Sequence, residues 1–332
     1  MHALEKPFEN ATFDALSNLA REDMEAVDRL ISSSLETDVA LVSQVSRYIV
    51  ASGGKRLRPM IVLLAARAFG YGGEQHVRAA AIIEFIHTAT LLHDDVVDSS
   101  SRRRGKDSAN TVFGNQASVL VGDFLYSRAF QMMVDIGSMR VMQILANATN
   151  TIAAGEVLQL MNVHDPDTTE DAYREVIYRK TARLFEAGAQ IAAVLSERSD
   201  ADENAMIEYG RNLGMAFQLV DDALDFDASP EELGKNLGDD LAEGKATLPL
   251  IYAMQHGSNP ERELIRHAIL EGGLDDMERI QSVIESTGAL QYTAARAQEA
   301  ADAAIGALSG IPESDYKQGL IAIADFAVRR RS

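Results

Sequence analysis

Cysteine is absent from all 332 residues, so the chain has no disulfide framework and no thiolate to act as nucleophile or metal ligand. That absence fits a reducing compartment, and the expected location is cytoplasmic. The N-terminus, MHALEKPFENATF, lacks a basic segment followed by an apolar one, so no signal peptide is expected. No run approaches the roughly 20 apolar residues of a transmembrane helix. Basic residues are scarce: the formal net charge is −19 at pH 7, which disfavours a nucleic-acid partner and opposes nonspecific adhesion to anionic lipid. Strand-like alternation, short-period repeats and low-complexity tracts are missing too. No shift in composition marks a linker, so one domain spanning 1–332 is expected, with residues 1–22 as a loosely ordered N-terminal segment.

What is present reads as helix. Apolar residues recur at helical spacing over 12–33 and 37–50. Ser52-Gly53-Gly54 breaks the second helix, and Pro59 is expected at the first position of the next. After a break at Gly70-Tyr71-Gly72-Gly73, a helix is expected from about Gln75 to Ser99. Further helices are expected over 115–136, 138–163, 170–196 and 202–227, then at about 246–256, 260–271, 275–287, 288–309 and 314–330. The expected fold class is all-α.

The stretch 82–104, IIEFIHTATLLHDDVVDSSSRRR, organises the rest. Asp94 and Asp98 are four residues apart and share one helical face, with His87 about 10 Å earlier along it. Like charges at that spacing repel, so a bound cation explains them; an exposed acidic helix end is the competing reading of this stretch alone. A second copy, FQLVDDALD at 217–225, repeats the spacing in Asp221 and Asp225, with Gln218 one turn before Asp222. Carboxylates without thiolates select a hard ion, and Mg²⁺ suits sites offering one or two carboxylates per ion. Upstream, Gly53-Gly54-Lys55-Arg56-Leu57-Arg58-Pro59 is either a phosphate-binding helix entry or a solvated basic turn. Arg102, Arg103 and Arg104 can complement a helix C-terminus or bind phosphate.

These strings together resemble the trans-type polyprenyl diphosphate synthases: DDVVD followed by RRRG, GGKRLRP upstream, and FQLVDDALD followed by LGKNLGDDLAEGKATLPL. EFIHTATLLHDDVVD, VFGNQASVLVGDFLYSRAFQMM and GEVLQLMNVHD are most similar to the bacterial octaprenyl subgroup. The resemblance runs from about Met24 to the basic C-terminal end. Ser99-Ser100-Ser101 departs from relatives, which often carry Met, Glu or Asp there. The resemblance implies a helical bundle of the isoprenoid synthase type around a central cavity. It implies two or three Mg²⁺ ions on Asp94, Asp95, Asp98, Asp221, Asp222 and Asp225. Lys55, Arg58, His87 and Arg104 would hold isopentenyl diphosphate. Arg103, Lys180, Thr181, Gln218, Lys235 and Lys245 would hold the allylic diphosphate. Arg329, Arg330 and Arg331 would close over the site or serve the helix dipole. A homodimer is implied, with no more than transient contact with a membrane.

The implied reaction is head-to-tail condensation of isopentenyl diphosphate with an allylic diphosphate, farnesyl diphosphate as primer. Charge develops on the departing diphosphate, so cations there catalyse the step, and water must be kept out. Ala89 and Thr90 lie just before Asp94, where aromatic residues would plug a product tunnel about one turn, ~5 Å, deep. Small residues there imply a long product, and the subgroup implies eight isoprene units, destined for quinone side chains. Phe130, Met132 and Met133 are candidates for the tunnel floor, with core packing as their default role. A class I terpene cyclase would keep one DDxxD motif, and a non-catalytic subunit of a heteromeric synthase would have lost an acidic motif or the arginine pair. Neither loss is found.

Overall fold

The computed structural model describes residues 18–51, 53–227, 238–272 and 274–329. Nearly everything described is helix. In chain order, α1 is Arg21–Ser34, α2 Ala40–Ala51, α3 Leu57–Ala68 and α4 Gln75–Val97. A two-stranded hairpin follows, β1 Arg102–Arg103 and β2 Lys106–Asp107, then α5 Ala109–Phe113, α6 Asn115–Ile136 and α7 Met139–Asn162. Next come α8 Glu170–Ile177, a π-turn at Tyr178–Ala182, α9 Arg183–Leu195 and α10 Asp200–Asp227. The C-terminal part holds α11 Asp239–Ala242, α12 Leu248–His256, α13 Asn259–Glu271, α14 Met277–Thr287, α15 Ala289–Ala307 and α16 Asp315–Arg329.

The helix α4 is central because it is apolar on every side. Ala79 to Ile83 are five consecutive residues with no exposed surface, which no single helical face could supply. It is ringed by α1, α3, α6 and α9. The long α10 packs on α9, α15 and α16. Its Met206, Tyr209 and Leu213 join the core around α4, while Met215, Leu219 and Phe226 join a second core with α12–α15. The two acidic helices are thus both anchored in apolar packing and face each other across what lies between.

Two local departures from the expected helices matter. Helix α3 begins at Leu57, two residues earlier than expected, so Pro59 sits inside the first turn, where its missing N–H has no intrahelical partner to lose. Helix α4 stops at Val97. Ser99 adopts a left-handed φ of 53°, and the amide of Ser100 bonds the carbonyl of Asp95 at 3.0 Å, closing the end as a Schellman-type cap. The arginines therefore lie beyond the helix, where the dipole role considered for them does not apply. Arg104 and Gly105, with φ of 51° and 76°, turn the chain between β1 and β2. Two positive φ values in a two-residue loop match the twist of the hairpin.

The π-turn interrupts what the sequence predicts as one helix over 170–196. It is flanked by two glycines that admit it. A Cβ on Gly155 of α7 would come 2.6 Å from Arg179 Cβ, and one on Gly214 of α10 would come 2.4 Å from Ala182 Cα. Among the described residues, no helix is long and apolar enough to cross a membrane.

Candidate active site

A cavity of about 940 Å³ opens between α3, α4, the hairpin, α7, the π-turn, α10 and the 239–247 segment. Its walls divide by charge.

One end is cationic. Arg58 stacks over Phe185, 4.5 Å from the ring centroid, and its guanidinium donates to His87 Nε2 at 3.2 Å. That contact places the imidazole proton on Nδ1. Burial, then the charges of Arg58, Arg104 and Arg103, hold His87 well below its usual range, so it is neutral. Lys55 Nζ lies 5.1 Å from the ring centroid of Phe326 in α16. Arg104 reaches the carbonyl of Gly53, and burial lowers its pKa. Lys55, Arg58, His87 and Arg104, far apart in sequence, meet here as the resemblance implies.

The other end is acidic, crossed by two half-buried lysines. Lys180, on the π-turn, lies 2.7 Å from Glu156 Oε2, 2.7 Å from Gln159 Oε1 and 4.0 Å from Asp94 Oδ2. Burial works against its charge, but Asp94 and Glu156 outweigh it and raise the pKa. Lys245 bonds Asp98 Oδ2 at 3.0 Å and also contacts Glu243. Its pKa is raised as well, with burial opposed by Asp240, Asp98 and Glu243. Burial pushes Asp94 up and pushes Glu156 up to about 7. On α10, Asp221 and Asp222 line the cavity. Burial, then the charge of Asp240, pushes Asp222 up to about 8.

A chain of hydrogen bonds links α8, the π-turn and α10. Tyr173 donates to Asp222 Oδ2 at 2.5 Å, Gln218 Nε2 to Asp222 Oδ1 at 2.7 Å, and Thr181 to Gln218 Oε1 at 2.9 Å. The π-turn brings Lys180 and Thr181 to bear on opposite acidic helices.

Two members of the expected ion-binding set face elsewhere. Asp95 has no exposed surface; its Oδ1 takes Arg103 Nε at 2.7 Å, and it lies outside the cavity lining. One residue along a helix is a rotation of about 100°, which on α4 turns Asp95 from the cavity toward Arg103. Asp225 is likewise fully buried outside the lining, and its Oδ2 takes the amide of Asp240 at 3.2 Å. Both carboxylates hold the segments that carry other site residues. Of the chain-length candidates, Thr90 lines the cavity and donates to the carbonyl of His87 at 2.8 Å. Ala89, Met132 and Met133 are in the core outside the lining, and Phe130 is 37% exposed. Arg329 ends α16. Lys235, Arg330 and Arg331 lie outside the described residues.

Sequence reasoning passed over Glu156, Gln159, Tyr173, Asp240 and Glu243. Glu156 and Gln159 stand three apart in the string GEVLQL, and Asp240 stands in GDD; the acidity of Glu156, Asp240 and Glu243 was the available signal, and Gln159 shares the helical face of Glu156. Tyr173 offered none.

The donor set fits Mg²⁺ held jointly with substrate phosphate. Carboxylates line the cavity from both helices, and Glu156 Oε1 is buried with no hydrogen-bond partner among the described residues. No three acidic or histidine side chains converge as a closed cage among the described residues. Mg²⁺ takes one or two carboxylates and completes its octahedron with phosphate and water, so an open pair of acidic walls suits it.

The polyprenyl synthetase family model matches residues 39–287. The octaprenyl diphosphate synthase of Escherichia coli (strain K12) is 54% identical over 318 residues, covering 96% of this chain and 98% of that protein. The octaprenyl diphosphate synthase of Haemophilus influenzae is 51% identical over 320 residues, covering 96% and 97% respectively. Among solved structures, a polyprenyl synthase from Caulobacter crescentus CB15, complexed with calcium and isoprenyl diphosphate, superposes with a TM-score of 0.94. It is 46% identical and is matched over 98% of this chain and all of its own.

Proposed function

The chain belongs to the polyprenyl synthetase family, and from that premise we propose that it is a trans-polyprenyltransferase joining isopentenyl diphosphate head to tail to an allylic diphosphate. The observation that carries this reading is the division of one cavity into a cationic end and a lysine-crossed acidic end. Two anionic substrates are seated there by two different chemistries.

Lys55, Arg58, His87 and Arg104 hold the diphosphate of isopentenyl diphosphate. Neutral His87 donates from Nδ1 while Arg58 occupies Nε2. Asp94 and Asp98 from α4, with Asp221 and Asp222 from α10, would hold two or three Mg²⁺ ions for the allylic diphosphate. Bound there, Mg²⁺ would neutralise phosphate oxygens and stabilise the leaving group. Lys180 and Lys245 turn from their carboxylates toward the arriving phosphates, and Arg103, fixed by Asp95, approaches from the hairpin. The allylic C–O bond breaks and its electrons leave with diphosphate. The double bond of isopentenyl diphosphate forms the new C–C bond, and the proton lost goes to the departing diphosphate. Thr181 and Gln218, oriented through Asp222, aim their dipoles at the reacting end. No protein base is required.

Two relatives called octaprenyl diphosphate synthases support an eight-unit product of the kind carried by quinones, with farnesyl diphosphate as primer. We also propose one domain for the chain, since α10 contributes to both cores, and a homodimer. Leu120 and Val134 of α6 and Met139, Val157, Leu160 and Met161 of α7 are 59–76% exposed, and a second copy would cover them.

The test is incubation of the pure chain with Mg²⁺, farnesyl diphosphate and labelled isopentenyl diphosphate, followed by dephosphorylation and sizing. One peak near forty carbons is expected. No product from the chain alone would overturn the reading in favour of a partner-dependent subunit.

A further inference from the structure

His164 stands two residues beyond α7, in a string that the reaction does not otherwise use. It is one of five non-glycine residues with positive φ among the described residues, at 60°, a conformation costly for histidine and persistent only when its surroundings enforce it. The surroundings are the C-terminal ends of two helices. Its backbone amide donates to the carbonyl of Gly244 at 2.8 Å, just past α11, and its Nδ1 lies 2.9 Å from the carbonyl of Ile269, in the last turn of α13. A carbonyl accepts, so Nδ1 carries the proton. Helix ends leave such carbonyls without intrahelical partners, and His164 satisfies one on each.

Both ends are shaped to receive the ring. Gly244 and Gly272 have φ of 73° and 64°, and a Cβ on either would come 2.3 or 2.8 Å from the imidazole. Gly244 is also the left-handed closing residue of α11: its amide bonds the carbonyl of Leu241, and that of Lys245 bonds the carbonyl of Asp240, both at 2.9 Å. The next side chain is Lys245, reaching Asp98. The far end of the same segment is tied to α10, since the amides of Gly238 and Asp240 bond the carbonyl and carboxylate of Asp225. At the near end, the bond from the His164 amide ties the segment to the loop that leaves α7, the helix that carries Glu156 and Gln159. A bidentate Arg266–Asp167 pair, at 2.5 and 3.0 Å, holds the same loop to α13 from outside.

We propose that His164 is a positioning residue that locks the 238–247 segment against α7, so that Lys245 is held at the allylic diphosphate side of the cavity. This rests on the functional reading above and deepens it. The cationic end, built on α3, α4 and the hairpin, does not depend on the lock.

The experiment compares wild type, His164→Ala and His164→Asn. Asparagine tolerates the left-handed backbone and keeps an N–H to offer Ile269. Steady-state kinetics give KM for each substrate, and calorimetry gives the affinity for inorganic diphosphate with Mg²⁺. The alanine variant is expected to lose about tenfold in diphosphate affinity and to raise the allylic KM by a similar factor, as outer residues around metal sites do. KM for isopentenyl diphosphate should hold, kcat should fall less, and asparagine should recover most of the loss. If the alanine variant does not fold, His164→Gly, which relieves the backbone strain while removing the ring, is read in the same way. Unchanged diphosphate binding, equal weakening of both substrates, or no recovery with asparagine overturns the proposal. Failure of wild type to bind Mg²⁺ and diphosphate would instead overturn the functional reading itself.

Discussion

Tyr173 crosses 49 positions of sequence to donate to Asp222, and the buried carboxylate it steadies also orients Gln218 and, through it, Thr181. Removing that hydroxyl deletes a buried hydrogen bond of about 0.5–1.5 kcal/mol. Tyr173→Phe should lower kcat/KM by up to about tenfold while the circular dichroism spectrum is retained; wild-type kinetics would show that Asp222 is held without it. Thr90 is the small residue that faces the cavity, whereas Ala89 is wholly enclosed by core. Thr90→Tyr should therefore shorten the product seen by chromatography, and an unchanged distribution would place the growing chain elsewhere. Away from the site, His76 Nε2 lies 3.2 Å from Asp23, which Arg67 also grips. Burial, outweighing Asp23, holds His76 below its ordinary 6.5. The unfolded chain then takes up a proton that the folded one resists, so stability falls as pH drops below 6.5. Asp23 is opposed by burial but lowered by Arg67 and His76, so its contribution is lost only below 3.8. His76→Gln should flatten the first of these two declines in a melting-temperature profile against pH.

Among the elements, the π-turn has the largest functional consequence for the smallest local change. One extra residue in a helical turn rotates Lys180 and Thr181 relative to what an unbroken helix would present. Such an insertion leaves the apolar periodicity on both sides intact, which is why the sequence reads as one helix across it. The turn survives because Gly155 and Gly214 leave room for its backbone. A methyl on Gly214 would meet Ala182 Cα at 2.4 Å, a clash with main chain that no rotamer relieves. Gly214→Ala should cost about 1–3 kcal/mol of stability and reduce turnover beyond the loss of folded protein; activity scaling with folded fraction alone would assign the turn no special role. The helix ends were equally hard to read. Ser99 in the left-handed region carries no glycine to announce it, yet it turns the arginines back over α4.

At the scale of the whole molecule, α6 and α7 carry most of the large apolar side chains that are exposed among the described residues. They are joined by only two residues. Monomers rarely expose large contiguous apolar patches. Replacing Leu160 and Met161 together with Asp should convert a dimer to a monomer in light scattering; wild type running as a monomer would remove the proposed interface. The net charge of −19 does not describe the substrate site, whose lining sets eight arginines and lysines beside nine acidic residues.

Helical class and the two acidic motifs were legible from residue order because each rests on local spacing: i, i+4 carboxylates on helices, glycine-bounded breaks, and basic clusters beside them; the reaction type came from the resemblance of those strings to the polyprenyl diphosphate synthases. Which carboxylates face the cavity was not, since Asp94 and Asp95 differ only by a rotation whose absolute direction is set by packing on neighbouring helices. The same holds for Asp222 and Asp225. Tyr173, Glu156 and His164 act through partners tens of residues away, and no local pattern encodes such a distance. The sequence by itself determined that two acidic helices and a set of cations exist. Tertiary packing decided which side chains meet, because close-packed cores fix helix rotations that sequence spacing leaves free.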